Sequence, residues 1–115
     1  MKKKFPFIDI LNLNEVPQRI SEFDIIINAT SLGLKNGEQF NVNLDGLTDK
    51  SIFIDTIYNP LETKIIKHLK SKNIKTFNGL DMLIYQGQKS FYIWNKINPE
   101  IDDELIQLLE NRIKC

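Results

Sequence analysis

The sequence predicts an α/β fold built around a short parallel sheet, and three observations carry that expectation. Two brief apolar runs, Asp24-Ile25-Ile26-Ile27 and Ile52-Phe53-Ile54, have the length and β-branched content of strands buried on both faces. Each ends abruptly: the first in the small, polar Asn28-Ala29-Thr30-Ser31-Leu32-Gly33-Leu34, the second in residues that favour a helix start. Finally, strand-like runs alternate with stretches of helical periodicity along the chain, the pattern of parallel strands joined by right-handed crossovers.

Taken in order, Phe7 to Leu11 is expected to form a first short strand, and Asn14 to Ser21, with Pro17 near its start, a brief helix or turn. Asp24 to Ile27 is the next strand, and Asn28 to Leu34 its loop. Lys35 to Lys50 reads as irregular, with Gly37 and Gly46 as turn formers. After the central strand, Asn59 is placed to cap a helix, Pro60 to occupy its first turn and Glu62 to complete a near capping box. Leu61, Ile65, Ile66 and Leu69 give that helix one apolar side, and Lys67, Lys70 and Lys72 favour its carboxyl end. Ile74 to Phe77 is a third strand closed by Asn78-Gly79. A long helix from about Leu80 to Asn95 is expected to bury Leu83, Ile84, Phe91 and Trp94. Asn98-Pro99 then starts a last helix, with Ile101, Leu105, Leu108 and Leu109 along one side and acidic residues at its positive end.

Composition narrows the function. The 115 residues suffice for one core, and 42% hydrophobic with 26% charged residues is the balance of an ordinary globular protein. A formal net charge of zero argues against a nucleic-acid surface, which needs a basic excess to displace counterions. No run approaches the ~18 apolar residues of a membrane helix, and Asp9 interrupts the apolar start that would make a secretory signal. The single cysteine, Cys115, allows no internal disulfide, so a reducing cytoplasm is expected.

The carboxyl edge of an open α/β sheet is where ligands bind, which singles out Asp55, Thr56 and Tyr58 after the central strand and Thr30 and Ser31 after the preceding one. Asp55, at the end of a buried strand, reads first as a carboxylate satisfied by loop amides. Thr30 and Ser31 suit a turn as well as a phosphate or ribose contact. His68, the only histidine, has no partners for a metal site or a triad and reads as a surface residue.

Three segments, in this order and spacing, resemble shikimate dehydrogenase: Asp24-Ile-Ile-Ile-Asn-Ala-Thr-Ser-Leu-Gly33, Asp55-Thr-Ile-Tyr-Asn-Pro-Leu-Glu-Thr63 and Gly79-Leu-Asp-Met-Leu-Ile-Tyr-Gln86, with Phe91 and Trp94 continuing the third. The resemblance covers the chain from Asp24 onward and, more loosely, Phe7 to Phe23. Lys96 stands where the family has glycine after the tryptophan. Shikimate dehydrogenases reduce 3-dehydroshikimate to shikimate with NADPH in aromatic amino-acid biosynthesis. The resemblance implies a partial Rossmann-like, NADP-binding domain over residues 1–78, carrying the later strands of its parallel sheet. C-terminal helices over 79–115 would return to the substrate domain. It further implies that Asn28, Ala29, Thr30 and Ser31 border the cofactor, that Thr56, Gly79 and Met82 lie beside its nicotinamide end, and that Tyr58 and Gln86 contact shikimate hydroxyls.

The family's catalytic lysine and aspartate have no matching segment in this sequence. Neither does the glycine-rich turn that holds the pyrophosphate, nor the Asn-Arg motif that reads the 2′-phosphate. The expectation is therefore the C-terminal portion of such an enzyme, inactive by itself. In the strand order 3-2-1-4-5-6 the middle of the sheet would be absent, leaving Ile25 to Ile27 an unpaired apolar edge. That edge would meet a second chain supplying the N-terminal part or another copy in an oligomer. The rival expectation is a non-catalytic remnant of the family, or an interaction module that pairs through the same edge.

Overall fold

The structure, a computed structural model, describes residues 5–34 and 41–114. Three parallel strands, β1 (Ile25–Asn28), β2 (Ile52–Asp55) and β3 (Lys75–Phe77), lie in the order β1-β2-β3. The register sets Ile26 beside Phe53 and Phe53 beside Thr76, so these side chains share one face of the sheet. Helix α1 (Val16–Arg19), with the single 3-10 turn Ile20–Glu22 that continues it, precedes β1. Helix α2 (Lys64–Ser71) connects β2 to β3, and α3 (Leu80–Asn95) and α4 (Asp103–Lys114) follow.

The core sits on that one face. Phe53, fully buried at the centre of β2, packs with Ile20, Leu44, Leu47, Leu69 and Ile74, and Val16, Ile26, Val42 and Ile65 close the cluster. The opposite face carries Ile25 and Ile27 of β1 beside Ile52 and Ile54 of β2, with Phe77 next in register. It is largely uncovered: Ile25 is 55% and Ile27 58% exposed. The α/β class and the parallel sheet agree with the sequence, but the burial expected for β1 does not. It is an edge strand with no layer over its outer face among the described residues.

Several other expectations need correction. Phe7 to Leu11 forms no strand; Ile8 N–H bonds to the Phe5 carbonyl at 3.1 Å in a turn, and Phe7 is exposed. A strand needs a neighbouring strand to satisfy its backbone, and among the described residues no strand pairs with this segment. Helix α2 begins at Lys64, not at Pro60: Asn59–Pro60 is a cis bond in the preceding turn, and the cap is Thr63. Leu61 therefore lies ahead of the helix. Helix α3 has the expected bounds, but only Leu80 and Ile84 are buried in it. Leu83 is half-buried, and Phe91 and Trp94 are exposed, because no element among the described residues covers the far half of the helix. Helix α4 starts at Asp103, after Asp102 rather than at Asn98-Pro99, since the Asp102 carboxylate takes the Leu105 amide at 2.8 Å. Residues 41–50 are irregular as expected, yet they deliver Leu44 and Leu47 to the core. Gly37 and Cys115 lie outside the described residues.

The surface reflects this one-sided packing. The radius of gyration is 16.8 Å, against roughly 13 Å for a compact chain of this length. Accessible area is 8923 Å², against roughly 6,500 Å² for a compact monomer of this mass. Among the described residues no helix is long and apolar enough to cross a membrane.

Candidate functional site

At the carboxyl edge of the sheet the strand ends are tied together by one buried polar network. Asp55, the last residue of β2, is fully buried and accepts three hydrogen bonds. Asn28 Nδ2 donates to its Oδ1 at 3.1 Å, Ile57 N–H to the same oxygen at 3.2 Å, and the Thr63 hydroxyl to Oδ2 at 2.8 Å. The carboxylate so joins the end of β1, the turn after β2 and the start of α2. Thr63 in turn accepts the Ile66 amide at 3.4 Å, capping α2. This is the satisfied structural carboxylate that the sequence favoured; Asp55 does not open onto solvent.

Asn28 continues the network into the loop after β1. Its Oδ1 accepts from the Thr30 amide at 3.1 Å and the Thr30 hydroxyl at 2.6 Å, and its Nδ2 also donates to the Leu32 carbonyl at 3.3 Å. The Leu32 amide donates to Thr30 Oγ1 at 3.2 Å. Across the strands, the Thr56 amide and hydroxyl both donate to the Asn28 carbonyl, at 3.0 and 2.9 Å. Gly33, with φ +105°, turns the loop back against Ile57 and Thr63.

An open cleft of about 460 Å³ lies above this network, lined by Thr30, Ser31, Leu34, Thr56, Ile57, Tyr58 and Asn59. Four of the residues singled out in the sequence, Thr30, Ser31, Thr56 and Tyr58, thus share one cavity. Asn28 is buried beneath it, and Ala29 is exposed beside it without lining it. Gly79 is buried at the same rim: its N–H donates to the Ile57 carbonyl at 2.9 Å, and a Cβ there would meet the Thr56 carbonyl oxygen at 2.0 Å. Met82 and Gln86 are exposed on α3 and do not line the cleft. Sequence reasoning missed Leu34, Ile57 and Asn59 as lining residues, and Thr63 as the cap. The onset of apolar periodicity at Ile65 was the signal for a cap just ahead of it.

No family model matches the chain. Curated proteins do: over 110 residues the chain is 46% identical to the shikimate dehydrogenase (NADP(+)) of Pelagibacter ubique, and over 94 residues 43% identical to that of Staphylococcus haemolyticus. These alignments take in 96% and 82% of this chain. The chain belongs to the shikimate dehydrogenase family. It spans about two fifths of the length of the curated relatives it matches, 40% and 35% of these two, and corresponds to their C-terminal part. Solved shikimate dehydrogenases share its fold. That of Aquifex aeolicus superposes with a TM-score of 0.71 at 34% identity, over 86% of this chain and 35% of that one. The Listeria monocytogenes enzyme, in complex with shikimate and NAD, gives 0.74 at 30% identity, over 85% and 34%.

Proposed function

We propose that this chain forms the nicotinamide-side wall and part of the substrate site of a shikimate dehydrogenase, which interconverts 3-dehydroshikimate with NADPH and shikimate with NADP. The observation that carries the reading is the meeting of Thr30, Ser31, Thr56 and Tyr58 in one cleft at the carboxyl edge of a parallel sheet, the place where this class of sheet binds ligands. The cleft's chemistry suits the uncharged end of a dinucleotide. Among the described residues that line it, hydroxyls alternate with the apolar Leu34 and Ile57, and none is a lysine, arginine or histidine. Gly79 allows the start of α3 to close against the backbone of Thr56 and Ile57.

In this reading residues 1–78 are the later part of an NADP-binding domain and 79–115 are helices that reach toward a substrate domain. Asn28, Ala29, Thr30, Ser31, Thr56, Gly79 and Met82 border the cofactor, and Tyr58 and Gln86 face the hydroxyls of shikimate. The bound cofactor supplies the hydride. The residues of this chain hold its nicotinamide end in place, narrow the approach of water and orient the substrate ring. Nothing in the sequence matches the family's proton-transferring lysine and aspartate, so turnover needs a polypeptide that carries them. The open outer edge of β1 favours such a partner. The expected setting is the cytoplasm.

The test combines this chain, fused or mixed, with the N-terminal portion of the Pelagibacter ubique relative. NADPH oxidation dependent on 3-dehydroshikimate is then followed. Activity is expected from the combination and not from either piece. Tyr58→Phe is expected to lower kcat/KM about tenfold, the worth of one substrate hydrogen bond. A folded but silent combination, or tight NADPH binding by this chain alone, overturns the reading.

A further inference from the structure

We propose that the chain by itself pairs with a second copy of the same chain through β1, the two strands running antiparallel about a two-fold axis at Ile26. The three strands of each copy then join into one six-stranded sheet.

Among the described residues the sheet has two edges, and they differ in how they are guarded. β3 is three residues long and carries the exposed Lys75, whose Nζ lies 5.3 Å from the centre of the Phe77 ring. A very short edge strand with a lysine on it is one way sheets avoid further pairing. β1, Ile25-Ile26-Ile27-Asn28, has no charge and no proline, and its register with β2 runs without a bulge. Ile25 and Ile27 are more than half exposed. An edge left in this state accepts another strand.

Alternation decides which backbone groups β1 offers. The Asp24 carbonyl accepts the Ile52 amide at 2.8 Å and the Asn28 carbonyl the Thr56 amide at 3.0 Å, so Asp24, Ile26 and Asn28 are turned to β2. The amides and carbonyls of Ile25 and Ile27 point to the open edge. A second β1 meets them in one register centred on the strand: Ile25 faces Ile27 of the copy, Ile27 faces Ile25, and Ile26 faces Ile26. Each Ile25–Ile27 pair exchanges two hydrogen bonds, so all four outward N–H groups of the two strands find a carbonyl. A shift by one residue would set outward groups against inward ones. A shift by two would set Ile25 against Ala29, or Ile27 against Phe23, beyond the strand.

Charge favours a copy as the occupant. The register sets Asp24 opposite Asn28 of the copy rather than opposite another carboxylate, and a formal net charge of zero raises no repulsion between two copies. Two-fold pairing uses both β1 edges at once, so the assembly closes at two copies. On the uncovered face, Ile25 and Ile27 of one copy meet Ile27 and Ile25 of the other, extending the row they form with Ile52 and Ile54. The polypeptide that the proposed function calls for would compete for this edge, so failure of the dimer leaves that function standing.

The experiment follows the full chain by sedimentation velocity over a dilution series into the submillimolar range, with backbone amide exchange read by NMR at both ends of the series. Dimers of the 13.4 kDa chain are expected at the upper end. The Ile26 amide, turned to β2, should be protected throughout, whereas the Ile25 and Ile27 amides should gain about tenfold protection or more only where the dimer forms. Ile27→Pro removes one outward N–H per strand without touching the β1–β2 ladder, a change that edge strands accept, and should weaken the dimer about tenfold or more. A chain that stays monomeric throughout overturns the proposal. So does a dimer whose Ile25 and Ile27 amides exchange as fast as in the monomer, which would move the interface to another surface such as the exposed end of α3 with Phe91 and Trp94. A folded Ile27→Pro variant that dimerises with unaltered affinity overturns it as well. Should that variant lose its dispersed spectrum, amide exchange in the unaltered chain decides alone.

Discussion

Gly79 has no room for a side chain. A Cβ there would lie 2.0 Å from the Thr56 carbonyl oxygen and 2.5 Å from its carbon, backbone atoms that the sheet holds in place. Gly79→Ala is expected to push the start of α3 away from the cleft rim and cost on the order of 1–3 kcal/mol, the range for overpacking. A urea titration reads it, and an unchanged midpoint would contradict the close approach. Lys96 presents the opposite case. It sits at φ +58° after α3, in the left-handed region where glycine is at ease, and its N–H bonds back to the Tyr92 carbonyl at 2.8 Å. Removing strain of roughly 1–2 kcal/mol outweighs the ~0.5–1 kcal/mol of chain entropy that glycine adds. Lys96→Gly should therefore stabilise the chain by a fraction of a kcal/mol up to about 1, read as a higher urea midpoint. At this scale the site was legible wherever a residue's place follows from a strand's end: Thr30, Ser31, Thr56 and Tyr58 needed only the sheet edge to come together. Gln86 and Met82 needed the direction in which α3 leaves the sheet, which no local pattern encodes.

Elements were legible by type more than by boundary. The two isoleucine-rich runs form β1 and β2, and Lys75–Phe77 forms β3, because apolar β-branched runs fit a pleated surface. The start of α2 was misplaced because Asn59, Pro60 and Glu62 carry the chemistry of a helix start. The helix begins later because Thr63 satisfies two needs at once: its hydroxyl accepts the Ile66 amide and donates to the buried Asp55. No inspection of Asn59 would reveal that second bond, which depends on where β2 ends in space. The dual role carries a prediction. A lost cap alone costs ~1 kcal/mol, and leaving Asp55 Oδ2 without a donor adds about 1–3 kcal/mol. Thr63→Ala should thus destabilise by more than a cap, whereas Thr63→Ser, which keeps the hydroxyl, should cost far less. Equal losses in the two variants, measured by urea unfolding monitored by circular dichroism, would remove the hydroxyl from the account.

The whole molecule shows what the strand pattern alone could not: a sheet finished on one face only. The core lies on the side of α2, while Ile25, Ile27 and Phe77 look outward from the other. The Asp24 and Asn28 carbonyls bond to amides of β2 and its following residue, and alternation along a strand then turns the amides and carbonyls of Ile25 and Ile27 to the open edge. Apolar side chains and a backbone edge that no described strand pairs make a template for another strand. A lysine on this edge would keep the β1–β2 ladder while placing a charge on the surface that the proposed partner would cover. Ile27→Lys is therefore expected to leave the circular dichroism of the chain unchanged but to abolish association, measured by sedimentation velocity, with the N-terminal portion of a relative. A lysine on the covered side, Ile26→Lys, should instead unfold the chain, since Ile26 packs on the core. If Ile27→Lys still associates with wild-type affinity, the partner docks elsewhere, and the exposed far half of α3 with Phe91 and Trp94 becomes the surface to test.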